Sequence, residues 1–192
     1  YKSLGGADNL GNRIQFNNYT LREAVNLWCD NQEQARRRYG PISEWDVSQV
    51  TDMMGLFLEK FNFNDDISNW DTSNVNNMRN MFYSARSFNQ YLGNWNTSNV
   101  TTMESMFRSG QFNNNNQPLT TREVQREDGT TYTAWDVSNV TNMSRMFELA
   151  SVFNQNIGNW DVSSVRDMSI MFNHATSFNQ DISNWDVSNV TN

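Results

Sequence analysis

Five aspartates and one asparagine, Asp46, Asp71, Asn96, Asp136, Asp161 and Asp186, each stand directly after a tryptophan, and those tryptophans recur at a nearly fixed interval. If equivalent positions stack in parallel, neighbouring side-chain oxygens come within about 5 Å of one another, and a line of like charges needs compensation. Two chemistries supply it. Ca²⁺ takes carboxylate and amide oxygens; alternatively, each side chain accepts hydrogen bonds from the serine and backbone groups of the Asp-Val-Ser turn that follows. The glycines of familiar calcium-binding repeats are missing, so the turn is the preferred reading and no metal is assigned.

A second group sits in the stretch REVQREDGTTYTAW: Arg122, Glu123, Arg126, Glu127, Asp128 and Tyr132. Mixed charge and a tyrosine on an irregular loop are what a binding surface grafted onto a regular body uses for specificity. Six N-x-[ST] sequons, at Asn18, Asn96, Asn99, Asn139, Asn142 and Asn189, are glycosylation acceptors in a secreted eukaryotic setting. The repeating pattern itself generates five of them, and Asn18 lies outside it. Asparagines that follow phenylalanine, Asn64, Asn89, Asn113, Asn154 and Asn179, are expected to form a hydrogen-bonded ladder.

Catalytic chemistry finds little support. His174 is the only histidine and falls on the outer face of a predicted helix, and Cys29, the only cysteine, has no histidine partner in its sequence context. There is neither a glycine-rich phosphate loop nor a metal-spaced Cys/His set. Carboxylates alone serve glycosidases, but the aspartate line singles out no pair. The expectation is a non-catalytic protein without a cofactor.

The elements that must position these residues follow from the tryptophans at 45, 70, 95, 135, 160 and 185, four of whose five intervals are 25 residues. A fixed period of this size marks repeats that bury their apolar faces only against their neighbours. Within a unit, Ile157, Trp160 and Val162 alternate with Asp161 as in a short strand, and Val140, Met143, Met146, Phe147 and Ala150 recur at helical spacing. Burying about nine apolar side chains yields on the order of 15–20 kcal/mol per unit. Ordering its residues costs on the order of 25–50 kcal/mol, so a unit cannot fold alone. Stacked, Met53, Met78, Met103, Met143 and Met168, and Phe57, Phe82, Phe107, Phe147 and Phe172, become core ladders beside the tryptophans.

Two stretches do not repeat. Residues 20–38 read as one amphipathic helix with Thr20 as its N-cap and Arg36, Arg37 and Arg38 in the last turn, where cations suit the helix dipole. The interval from Trp95 to Trp135 is 40 residues long. Phe112 comes one residue early relative to Phe88, and about 16 residues are then added. A projecting loop or hairpin is expected over about 113–133, beginning in the polar run 113–116 and turning at Asp128-Gly129.

The net charge of −7 and pI near 4.6 argue against nucleic acid as a partner. One cysteine forms no internal disulfide, no apolar run approaches a membrane span, and residues 1–20 lack the layout of a signal peptide. Both ends look cut, since the chain starts at Tyr1 and stops eight residues into a unit, which suggests a segment of a longer protein.

The unit Ile-x-x-Trp-x-Val-x-x-Val-x-x-Met resembles the leucine-rich-repeat consensus. Stretches such as WDVSNVTNMSRMF and SFNQDISNWDVSNVT resemble the repeats of BspA-like leucine-rich-repeat surface proteins, over residues 39–192. The resemblance implies an α/β, leucine-rich-repeat-like solenoid of about five to six 25-residue strand-plus-helix repeats with an N-terminal capping helix. Residues 1–44 would form the N-terminal segment and 45–192 the repeats. It also implies cell-surface display and adhesion, and no shared catalytic residues. The expected function is a surface-exposed scaffold for a protein or glycan ligand, without membrane insertion in this segment. The alternative is a structural building block of a virion or extracellular assembly.

Overall fold

The order of the chain begins with a capping interaction. In the computed structural model, which describes residues 14–192, the Asn17 side chain accepts hydrogen bonds from the Tyr19 and Thr20 N–H groups at 3.0 and 2.9 Å. The Thr20 hydroxyl accepts from the Asn17 N–H at 3.0 Å, completing a reciprocal box. Helix α1 is therefore Asn18–Asp30, capped by Asn17 rather than by Thr20. The single helix expected over 20–38 is two, because Asn31 leaves helical geometry at φ −151° and its side chain accepts from the Gln34 N–H at 3.1 Å. That bond starts α2, Gln32–Tyr39, which ends at Gly40 with φ 75° and holds Arg36, Arg37 and Arg38 in its last turn. Leu21, Ala24, Val25 and Trp28 form the buried face of α1, and Trp28 meets Trp45 edge-on at 5.6 Å. Residues 1–13 of the expected N-terminal segment lie outside the described residues.

The α/β leucine-rich-repeat-like solenoid of strand-plus-helix repeats is not what the chain forms. Among the described residues the only α-helices are α1 and α2, and the only sheet is one antiparallel pair in the insertion, so the 25-residue units contain neither helix nor strand. Each unit carries two residues in the left-handed region where the helix was expected: Gly55 and Glu59, Asn80 and Ser84, Ser105 and Ser109, Arg145 and Leu149, Ile170 and His174, with φ between 55° and 63°. A left-handed residue every fourth position cannot continue a right-handed helix.

It redirects the backbone instead. The N–H groups of Met53, Gly55, Phe57 and Glu59 donate to the carbonyls of Asn77, Arg79, Met81 and Tyr83 in the following unit at 2.8–2.9 Å. Those of Leu56, Leu58 and Lys60 turn back three residues to Met53, Gly55 and Phe57. The same alternation links 78–84 to 102–108, 103–109 to 142–148 and 143–149 to 167–173. Because each local turn spans three residues, Val50, Met53 and Phe57 still point inward together, which reproduces helical spacing without a helix. Strand character shrinks to single parallel bridges running Asp52, Asn77, Thr102, Asn142, Asp167.

The interior between these hydrogen-bonded rows is aromatic. Phe57, Phe82, Phe107, Phe147 and Phe172 stack at 5.3–5.7 Å between centroids. A second column, Phe63, Phe88, Phe112, Phe153 and Phe178, runs beside it at 5.6–6.3 Å. Within a unit the two rings lie as close as 3.8 Å, for Phe107 and Phe112. From Trp70 onward each indole N–H reaches a carbonyl of the preceding unit, among them Trp70 to Ile42 at 2.9 Å, Trp95 to Ile67 at 3.1 Å and Trp185 to Ile157 at 3.1 Å. A polar atom that burial would otherwise leave unsatisfied thus ties one unit to the next.

Candidate functional site: the hairpin groove

The same indole bonds locate the insertion. Trp135 bonds to the Leu92 carbonyl and Trp160 to that of Leu119, both at 2.8 Å, so Leu119 occupies the place of Leu92 and Ile157. Thr121 exchanges two hydrogen bonds with Asn159, its N–H to Oδ1 at 3.1 Å and its carbonyl from Nδ2 at 2.8 Å. The excursion therefore leaves after Thr121 and returns at Trp135. A smaller irregularity precedes it, a 3-10 turn at Asn114–Asn116 whose three asparagines all have φ of 49–58°. Asparagine accepts that region more readily than most residues.

Residues 122–134 form a hairpin. Strand β1, Arg122–Gln125, pairs antiparallel with β2, Thr131–Ala134, in the register Val124 opposite Tyr132. The turn is closed by the Arg126 N–H on the Thr130 carbonyl at 2.7 Å and by the Gly129 N–H on the Arg126 carbonyl at 3.0 Å, with Gly129 at φ 84°. Asp128 accepts from both the hydroxyl and the N–H of Thr130, and these bonds lower its carboxyl below the ordinary range.

Two side chains fasten the hairpin to the stack. The Arg122 guanidinium donates to the Tyr91 hydroxyl at 2.7 Å, to the Gly93 carbonyl at 3.5 Å and to Asn94 Oδ1. The Tyr132 hydroxyl donates to the Asn94 carbonyl, and its ring carries the Arg126 guanidinium 4.4 Å from the centroid. Burial raises the Tyr132 phenol above its usual pKa against the opposing pull of Arg126 and Arg122. Held this way, the hairpin encloses a groove of about 370 Å³ against the edge of residues 68–72 and 94–96.

The groove joins the two groups of residues singled out from the sequence. Arg126, Glu127 and Tyr132 line it from the hairpin, and Asp71 and Asn96 from the aspartate line. Glu123 and Asp128 are exposed and do not line it, and Arg122 acts as an anchor. Asn69, Asn94 and Gln125 line it too. The asparagine that precedes the tryptophan was the available signal for Asn69 and Asn94, because it adjoins the aspartate line in the chain.

Along that line the turn chemistry is explicit. Ser48, Ser73, Ser98, Ser138, Ser163 and Ser188 each donate a backbone N–H to the Oδ1 two residues before, at 3.0–3.1 Å. The serine bonds at Asp186 hold its carboxyl below the ordinary range. Among the described residues no group of three or more His, Cys, Asp or Glu is poised around a metal position. The phenylalanine-linked asparagines form their ladder: the N–H groups of Asn89, Asn113, Asn154 and Asn179 donate to the preceding member's Oδ1 at 2.8–2.9 Å.

The sequon asparagines are mostly engaged. Asn18 accepts from the Thr51 N–H at 2.8 Å, and Asn99, Asn139 and Asn189 donate to serine carbonyls of the preceding unit. Asn142 donates to Glu104, whereas Asn96, a residue of the groove wall, has no bonded partner for Nδ2 among the described residues. His174 is exposed at one of the left-handed positions. Cys29 is half-buried near Trp28, Lys60 and Asp65, and burial pushes its thiol up to about 11.

Among the described residues no helix is long and apolar enough to cross a membrane. No curated protein and no solved structure matches the chain. Residues 29–134 and 125–192 both match one family, and the chain therefore belongs to the family described as Mycoplasma protein of unknown function, DUF285.

Proposed function

We propose that this protein is a non-catalytic binding scaffold displayed outside the cell, which takes a protein or glycan ligand at the groove between the hairpin and the stack. The observation that carries this reading is the cost the chain accepts to place the hairpin there. Trp135, the residue on which the hairpin returns, sits at φ 49°. A bulky side chain in that region costs roughly 1–2 kcal/mol, and strain retained beside a cleft is a pointer to function. Arg122 and Tyr132 then fix the hairpin so that the groove is preformed, which reduces the ordering cost of binding. The likeness of the repeats to those of BspA-like surface proteins supports display outside the cell and adhesion.

Joining Thr121 directly to Trp135 sets Thr121 where Asn69, Asn94 and Asn159 precede their tryptophans and removes the hairpin alone. Native and hairpin-free chains would be compared for binding to immobilised extracellular-matrix proteins and cell-surface glycans by biolayer interferometry. The expected result is a ligand held by the native chain and bound at least ten-fold more weakly without the hairpin. Equal binding by both chains would overturn the assignment.

A further inference from the structure

We infer that the groove is a subsite for an uncharged saccharide, a refinement that rests on the binding-scaffold reading above. Its wall is rich in planar polar groups with unused bonding capacity. Asp71 spends Oδ1 on the Ser73 N–H, and Asn96 spends its Oδ1 on Ser98. Asp71 Oδ2, Asn96 Nδ2 and the side-chain amides of Asn69 and Gln125 have no hydrogen-bond partner among the described residues. At the repeat position three residues after Asp71 and Asn96 the amides are consumed: Asn74 and Asn99 both donate to serine carbonyls of the preceding unit, at 2.8 and 2.6 Å. Vicinal sugar hydroxyls each donate and accept, and carboxylate and amide planes match that pattern in pairs.

Charge selects among sugars. Arg122 is committed to Tyr91, Gly93 and Asn94, and the Arg126 guanidinium lies over the Tyr132 ring, while Asp71 and Glu127 bring negative charge to the groove. A sialylated or sulfated chain would meet two carboxylates, Asp71 and Glu127, against the single guanidinium of Arg126. The partly exposed Tyr132 ring contributes the apolar surface against which the C–H face of a pyranose rests. At about 370 Å³ the groove lies near the small end of the roughly 300–1,000 Å³ range of ligand clefts. That suits a short saccharide better than a folded partner.

The test uses the whole chain and a panel of oligosaccharides of glucose, galactose, mannose and N-acetylglucosamine, with sialylated and sulfated counterparts, read by glycan array and titration calorimetry. At least one uncharged saccharide should bind, and Asp71→Asn and Gln125→Ala should each weaken it ten-fold or more. Asp71→Asn is safe for folding because Asn96 already fills the equivalent position and caps its serine in the same way. Unchanged melting temperatures would separate lost contacts from lost structure. Preference for anionic saccharides, absence of any uncharged binder, or native affinity in both variants would overturn the subsite. If the hairpin-free chain loses a protein ligand while no saccharide binds, the subsite falls and the scaffold reading stands. If the hairpin-free chain keeps every ligand, both fall.

Discussion

Trp95 illustrates how a single residue type does two jobs in this molecule. Its ring is fully buried, and its N–H is satisfied by the Ile67 carbonyl of the preceding unit. Phenylalanine would supply the burial and leave that carbonyl unpaired, at a cost of about 1–3 kcal/mol, which explains tryptophan at this column and phenylalanine at the two columns beside it. Cys29 shows the opposite logic, a polarizable group kept neutral. Burial raises its thiol from 9.0 to about 11, outweighing the lowering effect of Lys60. The folded state therefore holds the proton more tightly than the unfolded state does, so this group's contribution to stability is intact below pH 9 and is lost as pH rises through 11. Iodoacetamide should alkylate Cys29 in the folded protein much more slowly than free cysteine at pH 8, with the rate rising toward pH 11. A rate at pH 8 matching free cysteine would show that the thiol is not held neutral.

At the scale of the element, the hairpin is a strained graft on a regular unit. Thr121 and Trp135 flank it at positions that Asn94 and Trp95 occupy as chain neighbours, yet only Trp135 among the unit tryptophans is forced to positive φ. Removing residues 122–134 and joining the flanks should release that strain. Against it stands the loss of the Arg122 and Tyr132 anchors, which are partly exposed and worth about 1 kcal/mol each at most. The joined chain is expected to melt within a few degrees of the native protein or above it, measured by calorimetry. A fall beyond about 3 kcal/mol would mean that the hairpin supports the stack rather than serving a ligand. How much of this was legible in the sequence follows the same division. The 40-residue interval and Asp128-Gly129 marked the hairpin, because turn residues announce local geometry. The helices expected in each unit were misread because Val50, Met53 and Phe57 have helical spacing in either backbone. What decides between them is the left-handed conformation at ten positions, seven of which are filled by glutamate, serine, arginine, leucine and isoleucine, residues that carry no such signal; only Gly55, Asn80 and His174 favour it. The groove was half legible: both of its walls were named from the sequence, but their meeting depends on Arg122 and Tyr132 reaching Asn94 across the chain.

For the molecule as a whole, stability resides in contacts between successive units, since the parallel hydrogen bonds and both phenylalanine columns run from one unit to the next and, outside the hairpin, no described unit has a sheet or α-helix of its own. Where stability comes from such contacts, the effect of a lesion depends on how many neighbours it faces. Phe107 is fully buried and touches Phe82, Phe112, Trp135 and Phe147. Phe172 is half-buried, against Phe147, Phe178 and a Trp185 that is itself partly exposed. Phe107→Ala removes a ring from between two others, leaves a cavity the stiff rows cannot collapse into, and should cost about 3–5 kcal/mol. Phe172→Ala should cost less than half as much, because water already reaches its surroundings. Urea denaturation followed by far-UV circular dichroism and tryptophan emission would measure both. The central lesion should also separate the two probes, with the units on either side of Phe107 losing structure at different urea concentrations. Equal costs for the two variants, with one shared transition, would instead require coupling along the stack stronger than contacts between adjacent units provide.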